Sequence, residues 1–163
     1  MSAIGLMFVG VTLFINGLSG KLNIASQSVA AINILTGLLS FFIHLIYMLN
    51  GDYYTAGSGF MFAFTYLLIG ISYALSLDLK VYGLFALFVA INTIPFSVVT
   101  LLVDGDPIFA LIWLLWGLLW LSGFIQYVLG VNLSKYIDAG AIFCGIFTTW
   151  IPGVIMLLGF WPY

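Results

Sequence analysis

The sequence contains no arginine and no glutamate, and only one cysteine, one histidine and four prolines in 163 residues. Charged residues make up 5% of it, three lysines against five aspartates, where a soluble domain carries about 25%. A chain so poor in charge cannot cover itself against water. Nor can it offer a basic face to nucleic acid, and a formal net charge of −2 selects no charged partner. The lone cysteine, Cys144, cannot close an intramolecular disulfide. There is no glycine-rich phosphate loop, no zinc-ligand spacing and no acidic pair inside an apolar run. No catalytic centre, metal or cofactor is therefore implied, and an enzyme reading is poor. Ion-coupled carriers and proton pumps keep paired ionisable groups within the membrane. Here only His44 falls inside an apolar run, and a relay needs a second member. Its ordinary reading is a histidine near the interface, bonded to backbone or water.

What is present is apolar. Hydrophobic residues make up 64% of the chain and the mean hydropathy is +1.28, which marks an all-α integral membrane protein. A span needs about 20 mostly apolar residues, and six such runs fill the chain, at about 3–20, 27–49, 57–76, 81–103, 107–129 and 139–160. The first run has no basic segment before it and reads as a retained span rather than a cleaved leader. Lys21, Lys80 and Lys135 lie in the first, third and fifth connections, whereas the second and fourth carry only aspartate. Basic residues stay cytoplasmic, so both termini are expected outside. The whole chain, 1–163, reads as a single six-span membrane domain. Two three-span halves, 1–79 and 80–163, would be inverted relative to each other. The short echoes FVG/FVA and FTYLLIG/FTTWIPG fall in corresponding spans of such halves, a pattern common in transporters and channels.

Within the runs the polar groups are amides, hydroxyls and aromatic faces: Asn16, Asn33, Asn92, Thr65, Tyr66, Thr148 and Thr149. A polar group buried in lipid without a partner costs several kcal/mol, so these must face other helices or a watered lumen. Asn92 reads as a bond between helices, as an answer to the Ile91 carbonyl freed by Pro95, or as part of a pathway; Pro152 interrupts the last run in the same way. The segment IWLLWGLLWL sets Trp113, Trp116 and Trp120 within about 60° of one another around a helix. One reading is packing volume between helices. The other is a flat-walled slot in which water or solute answers the indole N–H groups. Such a slot suits a small planar neutral solute, because an ion would be desolvated there with no fixed charge to offset the cost.

FVGVTLFINGLSG, GFMFAFTYLLIGI, LFVAINTIP, IWLLWGLLWL and TTWIPG, in this order, resemble the AmiS/UreI family of bacterial amide and urea channels. The resemblance runs from the first span to the last. It implies a six-span protomer of the bacterial cytoplasmic (inner or plasma) membrane, both termini outside, in a ring-shaped homohexamer. Each protomer would hold its own pore, passing urea or short aliphatic amides down their gradient. In the acid-gated members, tryptophans of the fifth span and a tyrosine and phenylalanine of the third form narrow slots. Those positions match Trp116 and Trp120, with Trp113 above or below, and Tyr66 and Phe62; the pore asparagine of the first span matches Asn16. Asn92, Cys144 and Thr148 complete the expected pore set. Two departures stand out. Cys144 occupies the place of a glutamate in the sixth span, and the second connection, NGDYYTAG, is short and has no histidine. Since protonation near neutral pH needs histidines to act on, the expectation is a urea channel supplying a cytosolic urease, with little or no pH dependence. A channel or proton-coupled carrier for short amides is the alternative.

Overall fold

The computed structural model describes residues 2–163 and is entirely helical among them. Helices α1 (Ala3–Ser19), α2 (Ser26–Leu49), α3 (Tyr53–Ala74), α4 (Lys80–Leu102) and α5 (Pro107–Tyr127) each form one rod. A sixth rod, Ser134–Leu157, is made of α6 (Ser134–Phe143), a π-helical segment (Cys144–Trp150) and α7 (Ile151–Leu157). Five of the rods are long and apolar enough to cross a membrane, and α1 is a shorter apolar helix of 17 residues. The sixth rod starts at Ser134, earlier than the apolar run suggests. Lys135 and Asp138 are thus in its first turns, because polar side chains are tolerated where a helix end remains wet.

The starts and stops follow local chemistry. Asp52 and Asp106, the aspartates of the two lysine-free connections, cap α3 and α5 by accepting from the Thr55 and Phe109 backbone N–H groups at 3.0 and 2.8 Å. Pro107 follows at the first helical position, where its missing N–H costs nothing. Gly51 (φ 84°) and Gly105 (φ 71°) make the left-handed turns that precede these caps. The Thr55 N–H holds the Asp52 carboxyl below the usual carboxylate range.

The rods form a ring in chain order, closed by α1 against the sixth rod. Packing around that ring is uneven. α2 with α3, α4 with α5, and α1 with the sixth rod make three close pairs, each brought together by glycine. A methyl group on Gly10 would lie 2.6 Å from the Trp150 nitrogen and 2.7 Å from the Gly145 oxygen. One on Gly37 would lie 2.9 Å from the Leu67 nitrogen, and one on Gly117 would overlap the Thr93 hydroxyl. In lipid no hydrophobic force drives helices together, so backbone approach of this kind holds the pairs.

The outward faces are apolar throughout, as shown by the exposed stripe Leu84, Phe88, Ile91, Ile94, Val98 and Leu101 on α4 and by Leu35, Leu38, Phe42 and Ile46 on α2. Continuous apolar surface of this extent faces lipid or a neighbouring protomer. His44 is not on it. Its ring is fully buried between α2 and α3 against Gly59, and Nδ1 donates to the Ser40 carbonyl at 2.6 Å. Nε2 has no partner among the described residues.

Candidate functional site: an aromatic waist between two cups

Three cavities succeed one another along the interior of the ring. At the end that carries Asp52, Asp104 and Asp106, a cup of about 480 Å³ is lined by Tyr54, Thr55, Ser58, Thr100, Asp104, Asp106, Trp161 and Tyr163. Phe109 and Trp113 also line it, and they press on the next layer of rings. Trp113 meets Trp116 edge-on at 5.2 Å and Phe62 at 5.9 Å, and Phe109 meets Trp116 at 5.6 Å. Below that layer is a waist of about 50 Å³, lined by Phe62, Thr65, Tyr66, Ile69, Tyr82, Trp116, Leu119, Trp120, Leu13 and Asn16. That volume holds one very small solute or a few waters. The last five non-tryptophan members of this wall, Ile69, Tyr82, Leu119, Leu13 and Asn16, also line a second cup of about 300 Å³, which opens toward Tyr73, Tyr127, Ser134 and Asp138.

The waist carries no charged side chain; its walls are ring faces. The Phe62 ring stands 5.0 Å from both Trp116 and Trp120, at interplanar angles of 82° and 71°. The indole N–H groups of Trp116 and Trp120 are not turned to water or solute, the answer that the spacing alone suggests. Trp116 Nε1 donates to Thr148 Oγ1 at 2.8 Å, and Trp120 Nε1 donates to Thr65 Oγ1 at 3.2 Å. Across the lumen, Asn16 and Asn33 form a reciprocal amide pair at 3.0 and 2.8 Å. The second Asn33 hydrogen goes to the Val29 carbonyl, and one turn along the pair is repeated by Thr12 and Thr36 at 2.7 Å.

The residues expected for the pore therefore separate. Trp116, Trp120, Tyr66, Phe62 and Asn16 meet at the waist, and Trp113 belongs to the cup beside it. Thr148 lies behind Trp116 as its acceptor, and Cys144 is buried behind that, its carbonyl accepting from both Thr148 and Thr149 at 2.7 and 2.9 Å. Asn92 is elsewhere. Its amide donates to the Phe88 carbonyl of its own helix at 2.8 Å, and neither it nor Thr93, which bonds to Ala90, answers the Ile91 carbonyl. Expectation and structure part here because an i−4 carbonyl is always within reach of a helical asparagine, whichever way the helix faces.

Three contributors carry no signal as functional residues in the sequence. Thr65 and Asn33 are two polar groups among several, and their partners lie 55 and 17 residues away. Trp161 reaches back from the chain end to Asp106 Oδ2 at 2.7 Å, tying the last residues over the cup. Only the Asp106–Pro107 start of α5 could have been read in advance, as a helix cap.

The chain matches the AmiS/UreI family transporter model over residues 1–160. It is 30% identical to the acid-activated urea channel of Helicobacter pylori over 195 aligned positions, covering 99% of this chain and all of that one. It is 34% identical to a Rhodococcus erythropolis protein named as the transporter AmiS2, over 98% of this chain and 80% of that one. The crystal structure of the urea channel from Helicobacter pylori superposes with a TM-score of 0.90 at 33% identity, covering 99% of each chain.

Proposed function

Because the chain belongs to the AmiS/UreI family, we propose that it is a passive channel for urea in the bacterial cytoplasmic membrane. In this reading all six rods span, both termini are outside, the Asp104/Asp106 cup faces outward, and each protomer of a homohexamer conducts through its own waist. Urea would reach a cytosolic urease down its gradient. The observation that carries this is the waist itself: about 50 Å³ between aromatic faces, with no charge. A planar neutral amide slides between ring faces and exchanges hydrogen bonds with the free hydrogen of the Asn16 amide, whereas an ion finds nothing to replace its water. Conduction needs sites weak enough to leave, and neutral amide contacts are of that kind.

Short aliphatic amides are the second reading, favoured by the 34% identity to AmiS2 and by the absence of a carboxylate at Cys144. Stopped-flow light scattering on proteoliposomes separates the two by the ratio of urea to acetamide entry. A carrier would show saturation, and a proton-coupled one would slow with an uncoupler; a channel shows neither.

Little pH dependence is expected. The one histidine is buried away from both cups. Asp52 is held in its ionised form, and a depressed carboxylate loses its contribution only as pH falls through that low value. The alignment with the acid-activated relative also has about thirty more positions than this chain has residues. Urea entry at about pH 5 and pH 7.5 should agree within about tenfold; a larger difference overturns the ungated reading.

Asn33 holds Asn16 and should matter as much as the residue it holds. Asn33→Ala removes three hydrogen bonds and is expected to lower stability by about 2–3 kcal/mol, and to slow urea entry about fivefold. Thermal unfolding in detergent and the same flux assay measure both.

A further inference from the structure

The two indole clamps point beyond the walls of the waist to what sets them. Thr148 donates its hydroxyl hydrogen to the Cys144 carbonyl at 2.7 Å, and Thr65 donates its own to the Met61 carbonyl at 2.7 Å. A threonine hydroxyl has one hydrogen. With that hydrogen committed to the helix, each oxygen can only accept, and in each case the donor it meets is the indole N–H of a waist tryptophan. The arrangement occurs twice, on different rods, with the same order of bonds: indole N–H to threonine oxygen, threonine hydrogen to the backbone four residues back.

Thr148 stands in the π-helical segment of the sixth rod. Gly145 packs against Gly10 of α1, and Pro152 brings no N–H to the turn that follows. The wider turn gathers the Thr148 and Thr149 hydroxyls on one carbonyl, that of Cys144. Short π segments of this kind gather at functional sites.

We propose that Thr148 and Thr65 are positioning residues for permeation, which fix Trp116 and Trp120 by their N–H edges and so withhold both donors from the solute. The inference rests on the channel reading above and deepens it. An indole N–H left free in this narrow, uncharged waist would be a further donor for a passing carbonyl, in surroundings where a hydrogen bond is stronger than in bulk water. With both indole donors satisfied within the protein, the solute meets ring faces there and donors at the Asn16 amide and the Tyr66 and Tyr82 hydroxyls.

The test uses isosteric and conservative replacements in the full-length protein. Thr148→Val keeps the shape and removes the acceptor, and Thr148→Ser keeps the acceptor. Thr65→Val and Thr65→Ser do the same for Trp120 and provide a second arm should one valine variant fail to fold. Ultraviolet resonance Raman spectra of the purified proteins report indole hydrogen bonding directly, and stopped-flow entry of urea and methylurea reports the waist. Each valine variant is expected to lose one strongly bonded indole, to slow urea entry at least about fivefold, and to change the urea-to-methylurea ratio, with the serine variant near wild type in all three. An unchanged indole signature in the valine variants overturns the clamp. A lost signature with unchanged rate and ratio overturns its role in permeation. If the wild-type protein passes no urea, the channel reading fails while the Raman arm still decides whether the clamps exist.

Discussion

Trp116→Ala is expected to open the barrier between the upper cup and the waist, and to let through solutes that the intact protein refuses. This ring is 2% exposed and stands edge-on to Phe62, Trp113 and Phe109 at 5.0, 5.2 and 5.6 Å. Removing it takes away the one ring that lines the waist and also touches both Phe109 and Trp113 of the cup. Truncating a buried tryptophan costs about 3–5 kcal/mol, so the variant should unfold at a visibly lower temperature. Its selectivity should fall as well. Entry of glycerol, which is neither planar nor able to stack, should rise at least about tenfold relative to urea, since one such barrier is worth little over 1 kcal/mol. Light scattering on proteoliposomes measures both solutes, and a glycerol barrier that survives the substitution would show that Trp116 is not the wall. Trp113→Ala is the comparison, because that ring belongs to the cup and should leave glycerol exclusion largely intact.

Gly10→Ala is expected to be strongly damaging for a single added methyl group. The added carbon would lie 2.6 Å from the Trp150 nitrogen and 2.7 Å from the Gly145 oxygen, backbone atoms of the sixth rod that cannot swing aside. α1 must withdraw, and the π-helical turn that carries Thr148 loses its support. A cost of about 3 kcal/mol is expected, at the upper end for overpacking, visible as a large drop in thermal midpoint and a broadened size-exclusion profile in detergent. Gly57→Ala is the control. Gly57 faces open space in the first turns of α3, where alanine should gain about 0.5–1 kcal/mol from helix propensity. A Gly10→Ala protein that melts with wild type would mean that the close crossing of α1 and the sixth rod does not matter.

The rods were legible in the sequence because hydrophobic length and helix-cap chemistry are local properties. Asp52, Asp106 and Pro107 announce their helix starts without help from the rest of the chain. The meeting of Phe62, Tyr66, Trp116 and Trp120 was legible too, but through family resemblance rather than spacing. In rods that are apolar on every side, periodicity does not say which face turns inward. That is why Asn92 could be taken for a pathway residue, although its side chain folds back on its own helix. The destination of the indole N–H groups was beyond reach for a different reason. For Trp120 the acceptor, Thr65, lies 55 residues away on α3, and for Trp116 it is Thr148, 32 residues away in a π-helical segment that packs on α1 through Gly145 and Gly10, with no local pattern linking either pair. His44 needed no tertiary information to be read as bonded to backbone, yet nothing local could show that it is buried against Gly59 with one nitrogen unpartnered.

The uneven packing of the ring has a mechanical consequence. Three pairs of rods are joined backbone to backbone through glycine, while side chains alone fill the seams between α1 and α2, α3 and α4, and α5 and the sixth rod. Backbone contacts are stiff and side-chain seams yield, so the molecule is expected to move as three staves rather than six. The waist draws its walls from all three: Leu13 and Asn16 from one, Phe62 and Tyr66 from the second, Trp116 and Trp120 from the third. Its bore is therefore governed by how the staves lean on one another. A change at any one seam, even far from the tryptophans, alters the aperture from one side and leaves each stave intact.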